Sequence, residues 1–315
     1  MTTKGRIALA HIRIGTRGSK LALWQAEWVA GQLTALGHAI ELVQIQTEGD
    51  RSSQSLRVVG GQGVFTKAIQ HALLDERVDV AVHSLKDLPT EPIPGLVLAA
   101  VPERESTADA LLSRGGLGFE ELPVGAQIGT GSLRRAAQLR AWRPDLVIAD
   151  IRGNVDTRIR KMQSGQFDAI VLAHAGLKRL QLEACITQLL PSDRILPAIG
   201  QGALGIECRK DDAETRSAIA ALDHPPTHSA VRAERYVLRK LMAGCLAPIA
   251  GVGQVSDGRL RVTVRVLAPD GSRCVEAAAE GAWSDPEEVA EQAVDQLRAA
   301  GAEEMIRVAT QPRRP

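Results

Sequence analysis

The chain has 315 residues, and 44% of them are hydrophobic, which is enough for the cores of two or three globular domains. Its 38 Lys and Arg nearly balance its 37 Asp and Glu, so the net charge of +1 provides no overall attraction for nucleic acid or for a membrane surface. Aromatic residues make up only 3%, and no run of roughly 18 apolar residues could span a membrane. We therefore expect a cytoplasmic enzyme or binding protein with no nucleic-acid or membrane partner.

The first predicted elements form a strand, a turn and a helix. The strand begins at His11 and runs into a turn that carries Arg17 and Ser19. Ser19 is expected to cap the helix, whose amide groups would then face an anion. A second strand follows at 40–45, and residues 47–63 are polar and rich in glycine. This segment is either a surface loop or a flap over a site.

The segment VDVAVHSLKDLP, from Val78 to Pro89, is the most informative stretch. Its β-branched start predicts a buried strand, preceded by a helix with apolar residues at helical spacing. His83, Ser84, Lys86 and Asp87 then lie at the carboxyl end of the strand, where ligands bind in parallel α/β sheets. The pair of charges is either a solvated turn or a site that holds an anion and a developing cation.

A second α/β unit begins after a strand at 95–101 and a polar connector at 101–108. Gly129-Thr130-Gly131-Ser132 separates a short strand from a helix that begins near Leu133. Arg134 and Arg135 fall in the first turn of that helix, where the helix dipole disfavours cations. This position predicts a bound anion; two ordinary surface arginines are the alternative.

Basic residues recur at or soon after the carboxyl ends of predicted strands. They are Arg17, Lys86, Arg134, Arg135, Arg152, Arg158 and Arg179. The recurrence predicts a cleft lined with guanidinium groups that holds several carboxylates or phosphates. We expect these side chains to face the cleft and not a core.

The last third returns to a buried strand within 196–209 and then becomes α+β. Thr227 is predicted to cap a helix that ends at Ala243-Gly244, just before Cys245. Alternating Val residues predict a strand at 260–266 that pairs with 274–279. Asp285 and Glu288 predict a capping box that opens a final amphipathic helix.

The cysteine pattern argues against a zinc site or a disulfide framework, because no two cysteines form a CxxC pair. The four are Cys185, Cys208, Cys245 and Cys274. Cys245 differs from the others because it lies in a loop before Pro248. By position alone, an inert thiol is favoured over a reactive one there.

Several segments together resemble the porphobilinogen deaminase (hydroxymethylbilane synthase) family, in family order from about Arg13 onward. They are RIGTRGSKLALWQA, GVFTKAIQHALLDERVDVAVHSLKDLPT, IGTGSLRRAAQLRAWRPDL, RGNVDTRIRKM, AGLKRL, LPAIGQGALGIECR and AERYVLRKLMAGCLAPI. Gln62 departs from the family pattern, in which a lysine is common, so a role for the 51–63 loop in binding carboxylates is not carried over.

The resemblance implies a transferase that joins four porphobilinogen molecules head to tail, with loss of ammonia, into the linear tetrapyrrole hydroxymethylbilane. The product grows on a dipyrromethane cofactor, and the resemblance places the covalent thioether on Cys245, against the inert reading above. It implies catalytic roles for Asp87 and Lys86. Cofactor binding is implied for Ser84, Lys86, Thr130, Ser132, Arg134 and Arg135. Substrate binding is implied for Arg17, Ser19, Arg152, Arg158 and Arg179; no metal is implied, and we expect a monomer.

The implied fold class is α/β, with two doubly wound lobes of the periplasmic-binding-protein type around a cleft and a small α+β C-terminal domain. The expected domains are 11–102 with 203–222, 106–198, and 225–312, the last carrying the cofactor cysteine. A solute-binding protein with the same lobes is the alternative. It explains the arginines but neither Asp87 nor the loop cysteine, and we see no export signal at the N-terminus. An anion-sensing regulator is a third option, but no helix-turn-helix pattern supports it.

Overall fold

The computed structural model describes residues 10–47, 63, 66–242 and 247–310. Contacts along the chain divide these residues into two compact units. The first unit comprises 10–47, 63, 66–104 and 203–228, and the second comprises 105–202 and the described residues from 229 onward.

The strands of the described residues form three sheets. They are β1 (His11–Thr16), β2 (Ala39–Gln44), β3 (Val80–Ser84), β4 (Leu96–Ala100), β5 (Asp109–Ser113), β6 (Gln127–Gly129), β7 (Val147–Ala149), β8 (Ala169–Ala173), β9 (Gln188–Leu189), β10 (Leu204–Arg209), β11 (Ile249–Ser256), β12 (Arg259–Leu267) and β13 (Cys274–Ala282).

The helices of the described residues flank these sheets. They are α1 (Lys20–Ala35), α2 (Lys67–Leu74), α3 (Leu133–Trp142), α4 (Val155–Gln163), α5 (His174–Arg179), α6 (Ala213–Ala220), α7 (Pro225–Lys240), α8 (Pro286–Ala299) and α9 (Ala302–Thr310). None of the helices in the described part of the chain is long and apolar enough to cross a membrane.

The first unit is built on a five-stranded sheet in the order β2-β1-β3-β10-β4. Strand β1 runs parallel to β2 and β3, whereas β10 is antiparallel to both of its neighbours. The apolar side chains of β1 and β3 are buried against α1 on one face and against α2 on the other. Burial on both faces explains why Val80, Ala81 and Val82 are apolar in succession.

Asp79 fixes the amino-terminal end of β3. Its carboxylate accepts hydrogen bonds from the backbone and side chain of Arg13 and from Arg209 of β10. Burial raises the pKa of Asp79, but these hydrogen bonds outweigh burial and lower the pKa to about 2. The amino-terminal end of β3 is thereby hydrogen-bonded to both of its neighbouring strands, β1 and β10.

The second unit contains two sheets. The five-stranded sheet has the order β7-β6-β8-β5-β9 and repeats the arrangement of the first unit, because its fourth strand, β5, is likewise antiparallel to its neighbours. The three-stranded sheet β11-β12-β13 is antiparallel, and α8 packs on one of its faces. In β12 the buried Leu260, Val262 and Val264 alternate with more exposed residues, as the sequence predicts.

These sheets confirm the predicted fold class of two doubly wound α/β lobes and a small α+β C-terminal domain. Several details differ from prediction. Helix α7 begins at Pro225, so Thr227 lies inside its first turn and is not the cap. The helix ends at Lys240; the predicted end at 243–244 lies outside the described residues. The prediction of a capping box at the start of α8 is wrong. The Asp285 side chain makes no hydrogen bond that caps the helix and instead accepts one from the Ser284 hydroxyl.

Candidate active site

The first unit contains a cavity of about 70 Å³ at the carboxyl end of β3, beside the start of α1. Charged and hydroxyl side chains dominate one part of its wall, and apolar residues of α1, α2 and β3 complete it. The lining residues are Arg17, Ser19, Leu21, Ala22, Gln25, Ile69, Val82, His83, Ser84 and Asp87. Four of the predicted site residues, Arg17, Ser19, Ser84 and Asp87, are thus brought to one cavity.

Ser19 and Arg17 reach the cavity through the turn between β1 and α1. The Ser19 hydroxyl caps α1, as predicted, by accepting a hydrogen bond from the backbone N–H of Ala22 at 3.4 Å. The amino-terminal end of this 16-residue helix carries a partial positive charge. Together with the Arg17 guanidinium, it makes this side of the cavity suited to an anion.

The opposite side of the cavity is formed by the end of β3 and one turn of 3₁₀ helix, Leu85–Asp87. Leu85 and Leu88 are buried and anchor the turn, so Lys86 and Asp87 are left exposed. Ser84 accepts a 2.8 Å hydrogen bond from the Gln25 side chain of α1. Among the described residues, none donates a hydrogen bond to the Asp87 carboxylate, which is therefore available to a ligand.

The second unit holds another group of predicted residues, at the turn between β6 and α3. Thr130 accepts a hydrogen bond from the backbone of Ser132 at 3.2 Å, and the Ser132 hydroxyl caps α3 by accepting one from the backbone of Arg135 at 3.4 Å. A Cβ atom at Gly131 would lie 3.1 Å from the Asp150 carboxylate and 3.5 Å from the Arg152 guanidinium carbon. The same Cβ atom would lie 3.1 Å from the carbonyl oxygen of Ile151, so glycine at this position lets Asp150 and the Ile151 backbone approach the turn closely.

Arg134 and Arg135 converge on one carboxylate, that of Asp109 at the start of β5. Arg134 lies 2.8 Å from one Asp109 oxygen and Arg135 lies 2.7 Å from the other. Asp109 is completely buried, and the two arginines are 5% and 6% exposed. Burial raises the pKa of Asp109, but the two guanidinium groups outweigh burial and hold the pKa well below its usual range. Gln201 adds a 2.8 Å hydrogen bond to the same carboxylate.

The remaining predicted arginines contact backbone carbonyls or carboxylates of their own unit. Arg152 forms a 3.0 Å ion pair with Asp150, and Arg158 donates to the carbonyl of Gly153 at 2.7 Å. Arg179 is buried and donates to the carbonyl of Gly202 at 2.7 Å. Burial lowers the pKa of Arg179 to about 10.

Comparison with known proteins agrees with this site chemistry. The family described as porphobilinogen deaminase, dipyromethane cofactor binding domain, matches residues 12–217, and the family's C-terminal domain matches 228–299. The porphobilinogen deaminase of Geobacter sulfurreducens is 48% identical over 95% of this chain and 95% of its own length. That of Desulforudis audaxviator is 47% identical over 94% of this chain and 97% of its own. The chain belongs to the porphobilinogen deaminase family.

Membership of the porphobilinogen deaminase family confirms the predicted enzyme class. The protein is a transferase of tetrapyrrole biosynthesis, it uses porphobilinogen, and it works with a dipyrromethane cofactor. Among solved structures, the methionine binding protein MetQ is 16% identical and covers 67% of this chain and 89% of its own, with a TM-score of 0.43.

The residues of the second unit fit a porphobilinogen deaminase cofactor that carries carboxylates. Two guanidinium groups against the single carboxylate of Asp109 leave these three groups with one net positive charge. The Nε atoms of Arg134 and Arg135 are buried and have no hydrogen-bond partner within the described part of the chain. Buried cationic donors in this state gain from an additional anionic acceptor. Cys245, the expected point of attachment, lies outside the described residues.

Three of the arginines that were predicted to line a cleft are almost inaccessible to solvent. Arg134, Arg135 and Arg179 are buried, and a protein carboxylate already lies where a bound anion was predicted for the first two. The dipole argument correctly indicated that cations at this helix start need an anionic partner. It did not reveal that Asp109, from a neighbouring strand, provides one.

Four polar residues take part in these two sites without having been predicted as site residues: Gln25, His83, Asp109 and Gln201. Asp109 could have been recognised from the sequence, because it directly precedes the apolar run Ala110 to Leu112. A carboxylate at that position must be buried together with the strand. Gln25 lies in the apolar face of α1 and offered a similar, weaker signal.

We predict that Asp109→Asn lowers the free energy of unfolding at pH 7 by about 3–5 kcal/mol, because two buried guanidinium groups lose their counter-ion. The pKa of Asp109 is depressed in the folded state, so its contribution is present above the unfolded value of about 4 and is lost as pH falls below it. The difference between wild type and variant should therefore shrink by about 1.4 kcal/mol for each pH unit below about 4. Urea unfolding at pH 7, 4 and 3 measures both effects.

Glu280→Gln serves as a control, because Glu280 forms an exposed ion pair with Arg259 in the same unit. This variant should unfold like the wild type at every pH. An Asp109→Asn protein as stable as Glu280→Gln would contradict the account of the cluster.

Proposed function

We propose that Asp87 is the carboxylate that accompanies the condensation and that the cavity of the first unit receives porphobilinogen. The observation that carries this proposal is the composition of one cavity wall. Asp87, which no described residue hydrogen-bonds, lines the same cavity as Arg17 and the capped start of α1. One cavity thus offers a site for an anion and a site for a cation.

The chemistry of porphobilinogen matches these two sites. Its pyrrole ring carries an acetate and a propionate, which suit Arg17 and the Ser19 turn. It also carries a ring N–H and an aminomethyl group, which suit a carboxylate. The roles of Arg17 and Ser19 are to bind a substrate carboxylate, and the exposed Lys86 adds a cation beside Asp87.

Asp87 has two tasks in this proposal. The C–N bond of the aminomethyl group breaks with its electron pair leaving on ammonia, and a positive charge develops on the substrate pyrrole. A preorganised carboxylate stabilises that charge. A new C–C bond then forms at a second pyrrole carbon, whose proton must leave, and Asp87 is the group placed to accept it. Each condensation releases one ammonia and one proton from the ammonium form of the substrate.

When bound, the dipyrromethane supplies the pyrrole on which the product is built, and we propose Cys245 as its attachment point. Arg134 and Arg135 hold its carboxylates through Nε donors that have no partner among the described residues, and Thr130 and Ser132 of the same unit contribute further polar contacts. Cofactor binding by Ser84 and Lys86 stays a prediction from the family resemblance. Arg152, Arg158 and Arg179 bind carboxylates of the growing chain. A hydrogen bond to a charged partner contributes about 1.5–3 kcal/mol, so several such contacts retain a polyanionic product during elongation.

The domain boundaries at 11–102 with 203–222, 106–198 and 225–312 belong to the same proposal. The return of β10 to the first sheet supports the discontinuous first domain. The separate three-stranded sheet with α8 supports the third. A cytoplasmic, monomeric enzyme without nucleic-acid or membrane partners completes the proposal, on the basis of the balanced charge of the chain.

We predict that Asp87→Asn yields a folded protein whose turnover is lower by several powers of ten, since loss of one preorganised electrostatic partner costs about 10²–10³ by itself. Asp87→Glu should keep some activity because the charge survives. Lys86→Gln should mainly raise KM, as expected for weaker carboxylate binding. Single-turnover assays on the three variants distinguish these effects.

Asp75→Asn is the matched control, because Asp75 is an exposed carboxylate of the same unit outside the cavity. It should turn over like the wild type. Normal turnover in Asp87→Asn would make the Lys86-Asp87 pair an ordinary surface turn.

We predict that the purified protein weighs more than its sequence by one dipyrromethane and that Cys245→Ala removes that mass. Alanine substitutions of Cys185, Cys208 and Cys274 should leave it in place. Intact-mass measurement checks all four variants, and an adduct that survives Cys245→Ala would refute the attachment point.

A further inference from the structure

A buried polar cluster lies directly behind the cavity, where β3 meets β10. His83 is 4% exposed and Glu207 is 7% exposed, and the His83 Nε2 atom lies 3.1 Å from a Glu207 oxygen. Gln70 of α2, also buried, donates a 2.9 Å hydrogen bond to the same oxygen. None of these three residues is among the predicted site residues, although His83 lines the cavity.

Burial makes the Glu207 carboxylate dependent on the polar groups around it. A carboxylate removed from water is costly unless a cation or several donors compensate it. Gln70 donates a hydrogen bond to one Glu207 oxygen, and the His83 Nε2 atom lies 3.1 Å from the same oxygen. The imidazole is therefore packed against the Glu207 carboxylate at the last buried position of β3.

The end of β3 is held from both faces of the sheet. Successive side chains of a strand point to opposite faces, so His83 meets Glu207 and Gln70 on the α2 side, while Ser84 meets Gln25 on the α1 side. The next three residues are the turn that carries Asp87. Any rotation or slip of the strand end would carry Asp87 with it.

The pairing of β10 with β3 also determines how closely the turn that carries Asp87 packs against the sheet. The backbone N–H of Leu85 donates to the carbonyl of Ala203, just before β10. A Cβ atom at Gly205 would come within 2.8 Å of the buried Leu85 side chain, so glycine at this position lets the turn pack down on β10. Glu207 lies two residues further along this strand.

We propose that the His83–Glu207 pair, supported by Gln70, is a positioning device that fixes Asp87 for the condensation, an inference that rests on the catalytic role of Asp87 proposed above. The pair acts through the end of β3 and does not itself touch the reacting atoms. A displacement of about 1 Å in a catalytic group can cost about 10²-fold in rate, so a modest loosening of the strand end has a measurable effect.

The test compares Glu207→Gln, His83→Gln and the double variant, each isolated with its cofactor. Both substitutions keep a polar side chain in place, and Glu207→Gln also removes the charge of the buried carboxylate. Each single variant should lower kcat by about 10- to 100-fold with KM changed less than about threefold, because the turn is displaced while the anion site stays. The double variant should be no slower than the slower single variant, because the two residues act as one unit.

Asp79→Asn is the structural control, since Asp79 holds the other end of the same strand. It should lower the melting temperature while kcat stays within about twofold of wild type. If the pair is merely structural, Glu207→Gln will behave in the same way, and the inference is overturned. If one single variant fails to fold, the other decides by the same two readouts.

The Asp87→Asn variant distinguishes failure of the positioning role from failure of the proposed function. Inactive Asp87→Asn together with normal kcat in Glu207→Gln and His83→Gln leaves the proposed function intact and refutes the positioning role. Normal turnover in Asp87→Asn refutes the proposed function itself.

Discussion

The pairing of β10 with β3 is the constraint on which the first unit depends. Strand β10 joins the sheet about 120 residues after β3 in the chain, and it runs antiparallel between β3 and β4. It provides Arg209 for Asp79 at one end of β3 and Glu207 for His83 towards the other. Closing so long a loop has an entropic cost, which the buried strand pair must offset. The position of Asp87 therefore reflects a contact that the local sequence does not contain.

Buried charge plays a corresponding part in the second unit. A single carboxylate, Asp109, orients two arginines at the start of α3, and Gln201 completes its coordination by hydrogen bonds. Such a cluster adds little stability compared with an apolar core, because desolvation opposes the Coulomb attraction. Its excess positive charge and the Nε atoms without a partner among the described residues instead support the role that we propose for it, a preorganised receptor for the carboxylates of a pyrrole chain.

Local patterns in the sequence were sufficient for most of the fold. The apolar run before His83, the Ser19 cap and the glycine turn before Ser132 all predict the observed elements, because each depends on neighbouring residues alone. The burial of Arg134 and Arg135 was not predictable in this way, since Asp109 reaches them from β5, 25 residues earlier. Strand β11 and helix α9 were also not predicted, because the sequence around them lacks distinctive turn or cap residues. The roles of Cys245 and Asp87 came from family resemblance; the geometry adds the cavity around Asp87.

The central claim is that the tetrapyrrole grows while covalently attached to this chain. Intact-mass measurement of the wild-type protein after incubation with a few equivalents of porphobilinogen tests it directly. The account predicts a series of discrete species above the starting mass, each step equal to one porphobilinogen less one ammonia. Release of product at a normal rate without any of these species would contradict it.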